Sequence, residues 1–477
     1  MIEAPDIPGS PRSAEKPEPQ VSIAVPLVVA CGMFMNQLDS TIIATSIPQM
    51  AESLGESPLR LSLAITSYLI SLAVFIPVSG WMADRFGARR VFCAAIALFT
   101  SASALCGLST SLLTLVLARI LQGVGGAMMT PVGRLILLRS FPKDQLLIAM
   151  SYASMPALIG PTIGPIVGGF LTTYISWRWI FFINIPIGTL GIVLALRLIR
   201  DFVLPPPPRF DFRGFVTVAI GLALLELAIE YLGRHVVPPW LNAGLFAAAL
   251  AMLALYGMHA SHRPDPVLDL TLLRIRSFRI SILAGGLCRL AIGAVPFLLP
   301  LMLQLGFGLD PLHSGLLTFV TSIGAMMVKT IVPHIVRRFG FRKVLSYNGV
   351  LLGLWICGFS AVRATTPHWL LLLYLLAYGF VRSVEFTSIN ALGYADLDES
   401  ALSKGTSMAS VMQRLCNSFG VAIGATALAI VAGSGNTVTA KDFPPVFLAI
   451  GLFPLIAIMG FLRLEESDGR QLSGLRE

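Results

Sequence analysis

The sequence predicts an all-α integral membrane protein of fourteen transmembrane helices, two six-helix bundles flanking two inserted helices, with the N- and C-termini in the cytoplasm. Three observations predict it. Of 477 residues, 55% are hydrophobic and only 12% are charged, against the roughly one quarter that a water-soluble chain carries. Apolar runs recur at lengths that cross a hydrocarbon layer of about 30 Å. The basic residues are dense in every second loop and sparse in the others.

The runs lie near 24–48, 61–82, 90–108, 111–137, 147–172, 178–199, 214–233, 240–260, 279–305, 312–334, 344–362, 368–391, 404–432 and 445–463. Each is expected to be helical, because a helix satisfies its backbone hydrogen bonds internally where no water is available. Residues 1–23 are polar and Pro-rich, and the first apolar run is too long for a cleavable signal, so an uncleaved, disordered cytoplasmic tail is expected there. With that tail inside, the inward loops hold clusters such as Arg85, Arg89, Arg90 and Arg337, Arg338, Arg342, Lys343. The outward loops hold only Arg60, Arg178, Arg234, Arg363 and Lys441. This is a positive-inside pattern for an even number of spans. It also explains the net charge of +9 without nucleic acid, since the basic residues form no continuous polar face. Cys31, Cys93, Cys106, Cys288, Cys357 and Cys416 show neither CxxC nor Cys/His spacing, so no disulfide framework, metal or cofactor is expected.

The loop Asp84-Arg85-Phe86-Gly87-Ala88-Arg89-Arg90 is echoed by Arg337-Arg338-Phe339-Gly340-Phe341-Arg342-Lys343, and Gly160-Pro161-Thr162-Ile163-Gly164 by Gly420-Val421-Ala422-Ile423-Gly424. These echoes pair the first six runs with the last six, as in repeat-built transporters. The expected organisation is an N-terminal bundle at 24–200, a linker at 201–213 entered through Pro205 to Pro208, inserted helices at 214–260, and a basic loop at 261–278. A C-terminal bundle at 279–464 and a cytoplasmic tail at 465–477 follow. The proline run should be an extended polyproline spacer.

Several stretches resemble the major facilitator superfamily, in its fourteen-helix drug:proton antiporter branch. Gly80-Trp81-Met82-Ala83-Asp84-Arg85-Phe86-Gly87-Ala88-Arg89-Arg90 resembles the superfamily's signature after helix two. Leu38-Asp39-Ser40-Thr41-Ile42-Ile43 with Pro48 resembles the branch's first-helix signature, and Arg119-Ile120-Leu121-Gln122-Gly123-Val124-Gly125-Gly126-Ala127 that of helix four. Gly160, Pro161, Gly164, Pro165, Gly168 and Gly169 fall on the antiporter signature of helix five, and Trp177 to Gly188 also fits the branch. Within the branch the chain is most similar to bacterial inner-membrane proteins regarded as multidrug transporters, some linked instead to export of citrate or other metabolites. The resemblance implies a major facilitator fold, a multi-pass inner-membrane location and proton-coupled export by alternating access, with multidrug efflux as the first reading.

Asp39 lies within an apolar run, where a carboxylate needs a cationic partner or a proton. It is a candidate proton carrier or a packing carboxylate. In the resembling family the residue matching Arg119 is implicated in proton transfer; Arg119 itself stays charged and can only modulate a nearby acid. Glu226 and Glu230, four residues apart on helix seven, face the same way and would repel if both were ionised. They are candidate proton sites unless Glu230 is simply wet or the inserted helices lie outside the bundles. Glu385 is a further acidic candidate, with Arg382 as its expected same-face partner. Against these acids stand Arg119, Arg289, Lys329, Arg382 and Arg414 as deep cations, which leaves the centre net positive if the acids of helix seven lie elsewhere. An organic anion such as a carboxylate is therefore an alternative cargo, unless Lys329 and Arg382 snorkel or pair. Arg289, Lys329, Arg382, Gln122 and Asn36 form the candidate substrate-binding set.

Gly80, Asp84, Arg85, Gly87, Arg89 and Arg90 are expected to form a cytoplasmic latch between helices, asymmetric because Arg337 replaces Asp84 in the second copy. The glycines and prolines of helix five permit close packing and bending. No phosphate-binding GxxxxGK[ST] loop, HExxH pair or GxSxG elbow occurs, so neither ATP hydrolysis nor another enzyme activity is expected. The expected partners are a small molecule, protons and lipid, and the expected state is a monomer. A non-transporting membrane sensor is the remote alternative.

Overall fold

The computed structural model describes residues 23–56, 58–200, 209–232, 237–433, 438–465 and 467–469. The expected tail at 1–22, the proline spacer at 205–208 and the side chain of Pro161 lie outside the described residues. Helices dominate the rest, and every predicted run is helical. In chain order they are α1 Ala24–Ile42, α2 Ile47–Leu54, α3 Pro58–Phe75, α4 Ser79–Phe86, α5 Ala88–Gly107, α6 Leu112–Ser140, α7 Lys143–Tyr174, α8 Trp179–Phe182, α9 Asn184–Leu198, α10 Phe212–Tyr231, α11 Pro239–Ser261, α12 Arg276–Leu301, α13 Pro311–Met327, α14 Val332–Gly358, α15 His368–Ala395, α16 Leu402–Ala432 and α17 Phe443–Phe461. Twelve helical segments among the described residues are long and apolar enough to cross a membrane. Runs five and ten are helical but fall outside that set: α13 has 17 residues, and α7 includes positions with undescribed side chains.

Several runs expected as single helices are broken, each break having a local cause. Run one divides at a 3₁₀ turn, Ile43–Ser46, before Pro48 starts α2. Run two divides at Ile76–Val78, where Pro77 lacks the backbone donor a helix interior needs. Run ten stops at Met327, turns through 328–331 and resumes at Val332. Lys329 sits in that turn.

Both Arg-Phe-Gly loops adopt one backbone form. Gly87 has φ 90° and ψ 133°, and Gly340 has φ 75° and ψ 161°, a region that only glycine enters without strain. The packing repeats as well. In the first half α1 packs on α7, α6 and α9, α5 on α6 and α9, and α3 on α6. In the second, α12 packs on α16, α15 and α17, α14 on α15 and α17, and α13 on α15. The Gly echoes serve equivalent seams: Gly160 and Gly164 meet Gln37 and Thr41 of α1, while Gly420 and Gly424 meet Leu290 and Leu298 of α12. Small residues allow this close approach where lipid is as apolar as the helix surface. The α10–α11 hairpin sits beside both halves, with α10 against α3 and α16 and α11 on its outer side.

After the last helix, Arg276 of α12 pairs with Glu465 and, at 3.0 Å, with Asp468. That guanidinium holds the exposed Glu465 carboxyl below the usual carboxylate range.

Gly87→Ala and Gly340→Ala are each expected to destabilise the detergent-solubilised protein by about 1–2 kcal/mol, because a Cβ is strained at positive φ. Gly244→Ala, in α11 with open space around it, should be neutral or stabilising. Thermal unfolding of the three variants checks this.

Candidate functional site

The first-half site is built on α1, α6 and α9. Arg119 and Gln122 are three residues apart on α6 and therefore share a face, which looks at Asp39 of α1. Arg119 Nη1 donates to Asp39 Oδ2 at 2.6 Å and to Gln122 Oε1 at 2.7 Å, and Gln122 Nε2 donates to Asp39 Oδ1 at 2.7 Å. Arg119 Nε donates to the Ala64 carbonyl of α3 at 3.1 Å. Asp39 is 1% exposed, and Arg119 and Gln122 are fully buried. Asn184 of α9 approaches Asp39 Oδ1 at 3.4 Å and donates to Ser103 Oγ at 3.0 Å. Asp39 of α1 is thus held by two other helices, α6 and α9. Gly123 and Gly126 make this possible, because side chains there would collide with Ser71 and crowd Leu72 and Tyr68 of α3.

The Arg119 guanidinium lies 4.2 Å from the centre of the Tyr68 ring, a cation–π contact that offsets part of the cost of burying the charge. The Tyr68 hydroxyl donates to Asn36 Oδ1 at 2.8 Å, and Asn36 Nδ2 donates to the Gly126 carbonyl at 3.0 Å. Asn36 and Gln122 therefore belong to this polar cluster. Asn184 was visible in the sequence only as part of the Trp177 to Gly188 stretch, with no role attached. Its approach to Asp39 arises from helix packing across 145 residues.

The second-half site is built on α12, α14 and α15 with the turn at 328–331. Arg289 donates to the Ser281 carbonyl and to Asn390 Oδ1, both at 3.0 Å. Lys329 Nζ donates to Thr387 Oγ1 at 2.6 Å. Arg289 and Lys329 are each 1% exposed. From the first half Arg134, absent from the sequence-based candidates, adds a buried guanidinium that donates to Gln413 Oε1 at 2.7 Å. Arg134 lies within electrostatic reach of both Arg289 and Lys329, and Arg382 within reach of Lys329. None of these four cations forms an ion pair among the described residues. Arg134 escaped notice because its run could not be oriented before the halves were brought together.

Two expectations about charge need correction. Glu385 is not partnered by Arg382: its carboxylate accepts from Asn348 Nδ2 at 2.8 Å and from Cys288 Sγ at 3.6 Å, while Arg382 lies 5.9 Å from the Tyr378 ring centre. Spacing of i and i+3 brings side chains near one another, but a neighbouring helix supplied the better partner. Glu226 Oε1 accepts from Arg414 Nη2 at 3.1 Å and from Ser418 Oγ at 2.9 Å, partners that spacing along α10 did not indicate. Glu230 is half-buried. Consequently Arg414 is paired and does not add its charge to the centre.

At the end carrying the basic loops, Asp84 engages neither Arg85 nor Arg90 in the described hydrogen bonds. Its Oδ1 takes Arg139 Nη2 at 2.8 Å, and its Oδ2 accepts from Ser403 of the other half. The Gly80 amide donates to Ser407 Oγ at 2.9 Å, and a Cβ at Gly80 would lie 2.6 Å from the Ser403 carbonyl. Arg85 is exposed, and Arg89 donates to the Ile199 carbonyl at 3.3 Å. Lys143 reaches the Ala395 carbonyl at 3.3 Å, and Arg337 reaches that of Asp144. These contacts join the halves beside a cavity of about 820 Å³ lined by Trp81, Asp84, Arg139, Asp265 and Lys404. Of the helix-five glycines, Gly160 and Gly164 contact α1, whereas Gly169 has open space around it and Pro165 is exposed.

Arg119→Ala should destabilise the protein by about 3–5 kcal/mol, because it strands a buried carboxylate. Asp39→Asn, which keeps an acceptor for Arg119 and Gln122, should cost less. Thermal unfolding in detergent ranks the two.

The sequence profile of the Major Facilitator Superfamily matches residues 29–421. The chain is 43% identical over 396 residues to the provisionally named multidrug resistance protein MdtD of Salmonella typhimurium, covering 83% of this chain and 84% of that protein. The same figures hold for MdtD of Salmonella typhi. Among solved structures, the human organic anion transporter MFSD10 superposes with a TM-score of 0.65 at 16% identity over 92% of this chain and 99% of that one. The proton:xylose symporter XylE superposes with a TM-score of 0.63 at 15% identity over 94% and 97%. At such identities these two likenesses concern the fold alone. The profile match runs through the segments that carry Asp39, Arg119 and the Arg-Phe-Gly loop, and the 43% identity extends over most of the chain; on that ground the chain belongs to the major facilitator superfamily.

Proposed function

We propose that this multi-pass membrane transporter is a proton-coupled exporter of the bacterial inner membrane, an antiporter that alternates access between two six-helix halves. Fourteen spanning helices and cytoplasmic termini complete the reading. The observation that carries it is the Asp39–Arg119–Gln122 cluster. A carboxylate buried in a spanning helix is costly, and one held by a guanidinium from another helix has two stable conditions. Ionised, it binds Arg119 and fixes α1 to α6; protonated, it releases that hold and lets the helices move. Arg119 keeps its charge throughout and Asp39 carries the proton. Contacts of Gly80 and Asp84 with α16 support a latch that shuts one end of the path while the other is open.

The name of the Salmonella relatives supports a multidrug cargo. A second reading, export of an organic anion such as a carboxylate, is favoured by the buried Arg134, Arg289 and Lys329 and the half-buried Arg382, four cations without an ion pair among the described residues. A broken helix at Lys329 also suits a binding site, since irregular backbone at membrane depth is tolerated where it lines a cavity. A lipophilic cation would be repelled there.

Proteoliposomes holding a pH-sensitive dye under an imposed proton gradient test both readings. Proton flux is expected on adding cargo to the wild type and should be absent in Asp39→Asn, which inserts normally; coupled flux in that variant would overturn the assignment. Ethidium as the sole effective cargo would establish drug antiport. If citrate or succinate is effective, Arg289→Gln and Lys329→Gln should each raise its KM roughly tenfold or more, the worth of a charge-assisted hydrogen bond of about 1.5–3 kcal/mol.

A further inference from the structure

The ion pair between the inserted hairpin and the second half has no evident structural need. Glu226 of α10 is 4% exposed and meets Arg414 and Ser418, which are one turn apart on α16. Around them Leu225 and Ile229 of α10 form an apolar cluster with Ala249 of α11 and Ala422 of α16, bordered by Leu415 and Phe419. Those apolar contacts already join α10 to α16. A buried ion pair is generally no more stabilising than the apolar residues that could replace it, so a carboxylate at this position calls for another role.

The surroundings indicate which. Arg414 lies within electrostatic reach of Tyr68, whose ring underlies Arg119. Its neighbour Gln413 accepts from Arg134. Successive residues of α16 thus touch the inserted helix and a cation of the first half. The sequence Asp39, Arg119, Tyr68, Arg414, Glu226 alternates acid and guanidinium across a phenol, with one acid in the first half and the other in the insert. Glu226 Oε2 is buried without a hydrogen-bond partner, leaving an oxygen able to take a proton. From α16 Arg414 and Ser418 face Glu226, and from α3 Tyr68 is nearest to Arg414. The titratable groups of α11, Tyr256 and His259, engage Leu268 and Asp211 at the opposite end of the hairpin. On α10 itself Glu230 follows one turn later.

We propose that Glu226 is a second proton-coupling carboxylate, which holds Arg414 while ionised and frees it toward the space between the halves when protonated. The proposal rests on the reading of the chain as a proton-coupled exporter. The O–H bond forms at Oε2 with a proton from water on the side to which the path is open. It breaks when Arg414 returns after access has switched, and the proton leaves to the other side. Arg414 remains a cation throughout, so the exchange moves one proton per cycle. The inserted hairpin is then a working part of the transporter, and the two acids are read out by two guanidinium groups of different halves.

The test uses the full-length protein in proteoliposomes, with ethidium and then citrate as probes, and measures the ratio of protons to cargo across a pH series. Glu226→Gln should lower that ratio by one proton and remove one titration step from the pH profile, while exchange of labelled cargo without a gradient persists. An unchanged ratio and profile would overturn the role of Glu226 alone. Absence of proton flux in the wild type would overturn the exporter reading and this proposal with it. Infrared titration of the carboxyl C=O bands in detergent, which needs no cargo, provides the second measurement. One titrating band should vanish in Glu226→Gln and stop titrating in Arg414→Gln, whose acid is left protonated; identical band titrations in wild type and both variants would overturn the proposal.

Discussion

A charge carried into an apolar medium must be met by groups of the same protein, and this constraint orders the interior of the molecule. Asp39 can be ionised within α1 only because Arg119 and Gln122 arrive from α6 and Asn184 from α9. Arg119 and Gln122 sit on α6, which comes close to α3 and α5 along Gly123, Gly125 and Gly126. The glycines and the charges are therefore one device. Larger residues at the seam would separate the helices and leave the carboxylate unpaired at a cost that a marginally stable protein could not bear.

The second half solves the same problem differently. Its most deeply buried charges, Glu385, Lys329 and Arg289, do not pair with one another: Glu385 is met by an amide and a thiol, Lys329 by a hydroxyl, and Arg289 by a carbonyl and an amide. Neutral partners satisfy hydrogen bonds without cancelling charge, so positive potential persists between the halves. Arg134 adds to it from the first half. The two halves thus share a helix-packing plan and differ in electrostatics, one closing its charge internally and the other leaving it available.

The contacts between halves are of a different kind from those within them. At the end bearing the Arg-Phe-Gly loops they are made by Gly80 against Ser403 and Ser407, by Asp84 with Ser403, and by single donors to the carbonyls of Ala395 and Asp144. Hydrogen bonds of this sort are individually worth about 0.5–1.5 kcal/mol. They can be exchanged one by one, which an interface of interlocked aromatic side chains would resist. The α10–α11 hairpin spans the seam on the outside, fixed to α16 by both apolar packing and the Glu226–Arg414 pair.

The helical runs, their order and the internal duplication were legible in the sequence, because apolar length and loop charge are local properties of the chain in a bilayer. The two Arg-Phe-Gly loops could be matched by their residues alone, whereas the positive φ shared by their glycines came from the fold. Asp39 could be singled out because a carboxylate in an apolar run stands out, and Arg119 and Gln122 because their stretch resembles the family's fourth-helix signature. Which partner each charge would find was decided only by tertiary packing. Glu385 took Asn348 rather than Arg382, Glu226 took Arg414 and Ser418, Asp84 took Arg139 and Ser403, and Arg134 met Gln413 only once the halves came together. Spacing along one helix limits what can be near. The rotation and approach of neighbouring helices, set by glycine seams across the whole chain, choose among the partners that remain.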